Sequence, residues 1–133
     1  MDLEPVAVLK STILQIKEIP ATETVGYMRN GKLKRDSRIA MVPIGYADGY
    51  DRRLGNGHAD MLVQGKRCPT VGNVCMDVTF LDVTDCPEAR EGDRVEIFGT
   101  HLPLTEISQK LGTICYEVLS TVSTRVKRVY YKE

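Results

Sequence analysis

From Val6 to Phe98 the apolar residues come in short segments rich in β-branched side chains and separated by turn-forming residues; only beyond Thr105 do they recur at helical spacing. A chain patterned this way builds sheet, because alternation gives each strand one face for a core and one for water. Val6 to Ile19, closed by Pro20, reads as a long strand, and Thr24 to Tyr27 as a short one. Asn30 to Asp36 is a polar connection with an Asn-Gly turn signal, followed by a strand over Ser37 to Ile44. Ala59 to Val63 and Arg67 to Val71 flank Gln64-Gly65-Lys66 with hairpin spacing, and Asn73 to Leu81 reads as a further strand prolonged by Val83 and Thr84. After the charged loop Pro87 to Gly92, Asp93 to Phe98 has the clearest alternation in the chain. Thr105 can cap a helix through Leu111 with Gly112 beyond it, Ile114 to Val122 keeps helical spacing, and Arg125 to Tyr131 returns to alternation. A mostly-β barrel or sandwich with one or two short helices near the C-terminus follows.

At 133 residues the chain has room for one core, so a single domain is expected. Its 18 basic and 18 acidic residues balance, leaving no broad field to attract nucleic acid or an anionic membrane. No apolar run is long enough to cross a bilayer, and Met-Asp-Leu-Glu-Pro is acidic where a secretory leader would be basic, so a cytoplasmic protein is expected. Cys68, Cys75, Cys86 and Cys115 lie far apart without a C-x-x-C pair, and with only His58 and His101 beside them they read as reduced, buried thiols rather than a metal site.

P-loop, nucleophile-elbow, zincin and dinucleotide-binding motifs are absent. Reactive side chains instead gather at strand ends: Tyr46, Asp48 and Tyr50 in IGYADGY, then Asn73 to Asp77, then Tyr116 and Glu117. A tyrosine entering a turn is ordinarily an amphipathic packer, and a phenol becomes a general base only where neighbours tune it. Read locally, Asp48 shapes a turn, Arg52 and Arg53 form a solvated charged loop, and Cys75-Met76-Asp77 is a core sulfur pair with an outward carboxylate in an apolar strand. Tyr116 precedes a helical stretch where an anion such as phosphate could bind, although a simple packing role is the favoured local reading.

The order of these segments carries more than any one of them. RIAMVPIGYADGYDRRLGNG, VGNVCMDVTFLDVTD, EGDRVEIFG and ICYEVLSTVSTRVKRVY together resemble the C-terminal domain of alanine racemase, from about Pro5 to the end of the chain. The resemblance implies a Greek-key-like β-barrel over residues 1–133. It also implies an N-terminal α/β barrel, absent from this sequence, that carries pyridoxal 5'-phosphate on a lysine. In that family two subunits pack head to tail, and each active site combines one subunit's barrel with its partner's C-terminal domain, so a homodimer is expected of the complete enzyme and inactivity of the isolated chain.

By position, Tyr46 corresponds to the tyrosine that exchanges the substrate α-proton opposite the cofactor lysine, in an enzyme that interconverts L- and D-alanine and supplies D-alanine for peptidoglycan. Met76 corresponds to a residue whose backbone N–H holds the substrate carboxylate, and Tyr116 to one that reaches the cofactor phosphate. Asp48, Asn73 and Asp77 would support the catalytic tyrosine or line the entrance. Asn73 stands where many members have arginine, and Cys115 where proline is common. The first departure leaves open a racemase of serine or of several amino acids; a non-catalytic β-barrel for binding or assembly is the other alternative.

Overall fold

A computed structural model of the chain describes residues 8–20, 35–99 and 101–112. Its strands are β1 (Leu9–Thr12), β2 (Gln15–Ile19), β3 (Ser37–Val42), β4 (Asp60–Val63), β5 (Lys66–Val71), β6 (Thr79–Asp82) and β7 (Arg94–Phe98), followed by helix α1 (Leu104–Leu111). They form one antiparallel sheet in the order β1-β7-β4-β5-β6-β3-β2. Within it β7-β4-β5-β6 is a Greek key, since the fourth strand returns to lie beside the first of three successive ones. β1 and β2 form the two ends of this order yet are neighbours in the chain, so the sheet is curled; the mostly-β barrel expected from the sequence is the fold.

Local chemistry sets the strand ends. β3 stops before Pro43, which has no N–H to give a ladder, and Ile44 N–H turns back to the Val42 carbonyl at 2.8 Å. The β4–β5 hairpin has a two-residue turn, Gln64-Gly65, with φ of 53° and 74°, the left-handed pair that matches strand twist. β5 pairs with β4 through Pro69 and with β6 from Thr70 onward, so it is a corner between two parts of the sheet. Alternation is plainest in β7, where Val95 and Ile97 are buried beside exposed Arg94 and half-buried Glu96. The core they join includes Ala40, Val42, Met61, Val63, Leu81 and Val83.

Three expectations change. The long strand over Val6 to Ile19 is two strands in its described part: Ile13, 2% exposed, gives its N–H to the Asp93 carbonyl, and Leu14 gives its own to Met41, so pairing passes from β7 to β3 between them. The strand over Asn73 to Leu81 begins only at Thr79, and Val83 and Thr84 do not prolong it, because Thr84 N–H turns onto the Asp82 carboxylate at 2.9 Å. Helix α1 starts one residue before Thr105, as Glu106 N–H bonds the Pro103 carbonyl at 3.0 Å and puts Pro103 at the cap. The Thr24–Tyr27 strand, the Asn-Gly turn, the second helical stretch and the final alternating segment lie outside the described residues. Among those described, no helix is long and apolar enough to cross a membrane.

Candidate functional site

Beyond Pro43 the chain winds into two consecutive 3-10 turns, Tyr46–Asp48 and Arg52–Leu54. The first is closed from both sides. Asp48 N–H bonds the Gly45 carbonyl at 3.0 Å while the Asp48 carboxylate, 7% exposed, accepts the Gly45 N–H at 3.1 Å. Gly49 ends the turn with φ of 99°, a conformation that suits a residue without Cβ. Asp48 therefore presents Tyr46 through the backbone, a supporting position.

This turn docks on the loop between β5 and β6. Tyr46 N–H reaches the Cys75 carbonyl at 2.9 Å, Ala47 N–H the Met76 carbonyl at 3.0 Å, and Thr79 Oγ1 donates to the Ile44 carbonyl at 2.6 Å. A Cβ on Gly45 would lie 2.5 Å from the Met76 carbonyl oxygen and closer still to that of Cys75, so the approach needs glycine there. With those carbonyls committed to the tyrosine turn, residues 73–78 cannot also pair as a strand. The expected core sulfur pair is likewise corrected: Met76 is 53% exposed and Cys75 half-buried, because the loop lifts both off the sheet. Since a planar trans peptide points its N–H opposite its C=O, Tyr46's hold on the Cys75 carbonyl turns the Met76 N–H away from the tyrosine backbone. Among the described residues nothing accepts a hydrogen bond from that N–H.

The two tyrosines of the motif have opposite environments. Tyr50 is 4% exposed, its hydroxyl has no hydrogen-bond partner among the described residues, and burial, reinforced by the charge of Asp60, pushes its phenol far up from the ordinary range. A phenol held protonated in the core is a packing group, as expected of Tyr50. Tyr46 is 42% exposed and open to a reactant. The Arg52 guanidinium carbon lies 5.5 Å from its ring centroid, a contact hidden in what the sequence offers as a solvated charged loop. They are six positions apart in the chain, and the two tight turns bring them together. Arg53 is engaged elsewhere: it bonds both carboxylate oxygens of Asp51, at 3.1 and 2.9 Å, and holds that carboxyl below its ordinary range.

Of the other candidates, Asn73 accepts the Asn56 side-chain amide at 3.1 Å, and Asp77 is exposed one residue beyond Met76. Tyr46, Asp48, Met76 and Asp77 are thus gathered at one end of β3, with Asn73 leading into their loop; Tyr116 lies outside the described residues. A cleft of about 400 Å³ lined by Glu18, Pro20, Asp36 and Arg38 is at the other end of β3. Cys68, Cys75 and Cys86 are free thiols, Cys68 pushed up to about 12 chiefly by burial. Among the described residues no three metal-ligating side chains come together.

Comparison with known proteins points to a single family. The profile of the family described as alanine racemase, C-terminal domain, matches residues 6–130. An alanine racemase of Methylobacterium sp. (strain 4-46) is 42% identical over 130 residues, covering 96% of this chain and 35% of that protein. The crystal structure of the biosynthetic alanine racemase from Pseudomonas aeruginosa superposes with a TM-score of 0.91 at 40% identity, over 98% of this chain and 36% of that one. That from Bartonella henselae, solved with covalently bound pyridoxal phosphate, gives 0.88 at 36% identity, over 93% and 34%. The chain spans about a third of the length of the curated relatives it matches. Matched along nearly all its length by profile, sequence and structure, it belongs to the alanine racemase C-terminal domain family.

Proposed function

We propose that this chain supplies the second half of an alanine racemase active site, with Tyr46 giving and taking the substrate α-proton. The observation that carries the reading is the docking of the tyrosine turn on the Cys75–Met76 loop, which ties the exposed Tyr46 to the loop whose Met76 N–H has no acceptor among the described residues. A phenol can move a proton and an amide N–H can hold a carboxylate, and an α-amino acid presents both next to one another. Asp48 keeps the turn closed, so the phenol is delivered by backbone fixed at both ends. Asn73 and Asp77, on the same loop as Met76, are the residues assigned to the entrance.

The donor set fits half of a pyridoxal-phosphate site: a proton-transfer group and an anion-binding N–H are on the face, and Tyr116, proposed to contact the cofactor phosphate, lies outside the described residues. The cofactor, when bound, supplies the electron sink that makes the α-proton acidic. Its lysine belongs to an N-terminal barrel, and the exposed Tyr46–Met76 surface is the face on which a partner subunit's barrel would close, giving a homodimer. Such a shared site leaves the isolated chain inactive. The proposed product is D-alanine for peptidoglycan.

The test is a chimera in which this chain replaces the matching third of the Pseudomonas aeruginosa racemase. It should racemise alanine faster than serine, whereas the isolated chain should not turn over either. Tyr46→Phe should lower α-proton exchange from one enantiomer by at least about a hundredfold, the low end of general acid–base contributions, with cofactor absorbance unchanged. Unaltered racemisation by Tyr46→Phe would remove the catalytic assignment.

A further inference from the structure

We propose that Arg52 is the positioning residue for the Tyr46 phenol, its guanidinium set over the ring so that the hydroxyl keeps one direction toward the reacting carbon. The inference rests on the reading of Tyr46 as the proton-transfer group. Backbone docking fixes where the Tyr46 side chain begins, but the hydroxyl sits at the far end of an exposed ring that can still turn about its own torsions. Arg52 meets that ring with its charged carbon 5.5 Å from the centroid, within the range of a cation on an aromatic face.

The neighbouring interactions single Arg52 out. Arg53 is held by the Asp51 carboxylate and by the Leu111 carbonyl at 3.3 Å, while no described residue offers the Arg52 guanidinium a hydrogen bond or an ion pair. Its backbone is nonetheless anchored, since Arg53 N–H is capped by Asp51 at 2.8 Å, Gly55 N–H closes on the Arg52 carbonyl at 3.2 Å, and Leu54 is buried. Ring and guanidinium are therefore presented by two fixed turns, and the contact between them supplies what the backbone leaves free. A planar guanidinium stacks on a ring where an ammonium acts only as a point charge, so lysine should replace arginine in part.

In the chimera, Arg52→Met should lower kcat for α-proton exchange about two- to fivefold, the weight of an exposed cation–aromatic contact, from the enantiomer whose proton Tyr46 handles. Exchange from the other enantiomer and KM should be unchanged, and Arg52→Lys should recover part of the loss. A general structural defect would slow both directions alike, and that result overturns the inference. In the isolated chain, ring current should shift the Arg52 side-chain proton resonances upfield, and Tyr46→Leu should abolish the shift; its absence from the native chain also overturns the inference. Should Tyr46→Phe leave racemisation intact while the ring-current shift persists, the assignment of Tyr46 fails and the Arg52–Tyr46 contact itself stands.

Discussion

Gly45 has no functional atom, yet the site depends on its missing side chain. Its Cα faces the carbonyls of Cys75 and Met76, which accept from Tyr46 and Ala47, so neither can retreat without releasing the docked turn. Gly45→Ala should therefore destabilise the chain by about 1–3 kcal/mol, the usual cost of forcing a methyl into packed structure, and should depress alanine turnover in the chimera more than urea stability alone explains. An unchanged urea midpoint would show that the loop yields. Tyr46 could be singled out in the sequence because its motif comes with a second motif at the family's separation. Gly45 and Arg52 could not: one is defined by the distance to a loop thirty residues on, the other by two turns in succession, and neither leaves a composition or a period to read.

Period is what made the elements legible, and the failures fall where a second partner intervened. Alternation found β7, and the β4–β5 hairpin followed from its turn residues, because in both the side-chain pattern and backbone pairing agree. Residues 73–78 are apolar enough for a strand, but the carbonyls of Cys75 and Met76 serve the tyrosine turn instead. Helix α1 shows the same dependence on distant groups. Glu106 bonds Arg67 of β5 at 2.8 Å, and Lys110 bonds the His58 carbonyl at 2.7 Å. Arg67 holds the Glu106 carboxyl below its ordinary 4.5, so the stabilisation is present above the unfolded value and is lost as pH falls through the folded one. Both side chains are partly exposed, which limits the pair to about 1 kcal/mol or less. The melting temperature of Arg67→Ala should lie slightly below that of the native chain at pH 7, and the gap should close below pH 4.5. A gap that persists in acid would assign Arg67 a packing role.

At the scale of the molecule, one short segment joins the two ends of the strand order. β1 lies against β7 and β2 against β3, and the connection between them is Ile13 and Leu14. Ile13 occupies the turning point: its side chain is in the main core, its N–H bonds the Asp93 carbonyl at 2.9 Å, and its carbonyl accepts from Gly92 at 2.8 Å. The unbroken β-branched pattern from Val6 to Ile19 hides this in the sequence, because a strand that changes partners has the same composition as one that does not. Removing the side chain should weaken both strands together, since Ile13 is the core residue at the point where they meet. Ile13→Ala should cost about 2–5 kcal/mol, as large-to-small changes in a packed core do. Hydrogen exchange should then quicken in β1 and β2 alike, whereas the β4–β5 hairpin keeps its protection relative to the global value. If exchange quickens in β1 alone, β2 is held by β3 independently of Ile13. The tyrosine turn follows directly from β3, whose pairing with β2 begins beside this segment at Gln15 and Met41. Closure of the sheet and presentation of Tyr46 are thus mechanically joined, and Ile13→Ala should lower turnover in the chimera even where the protein remains folded.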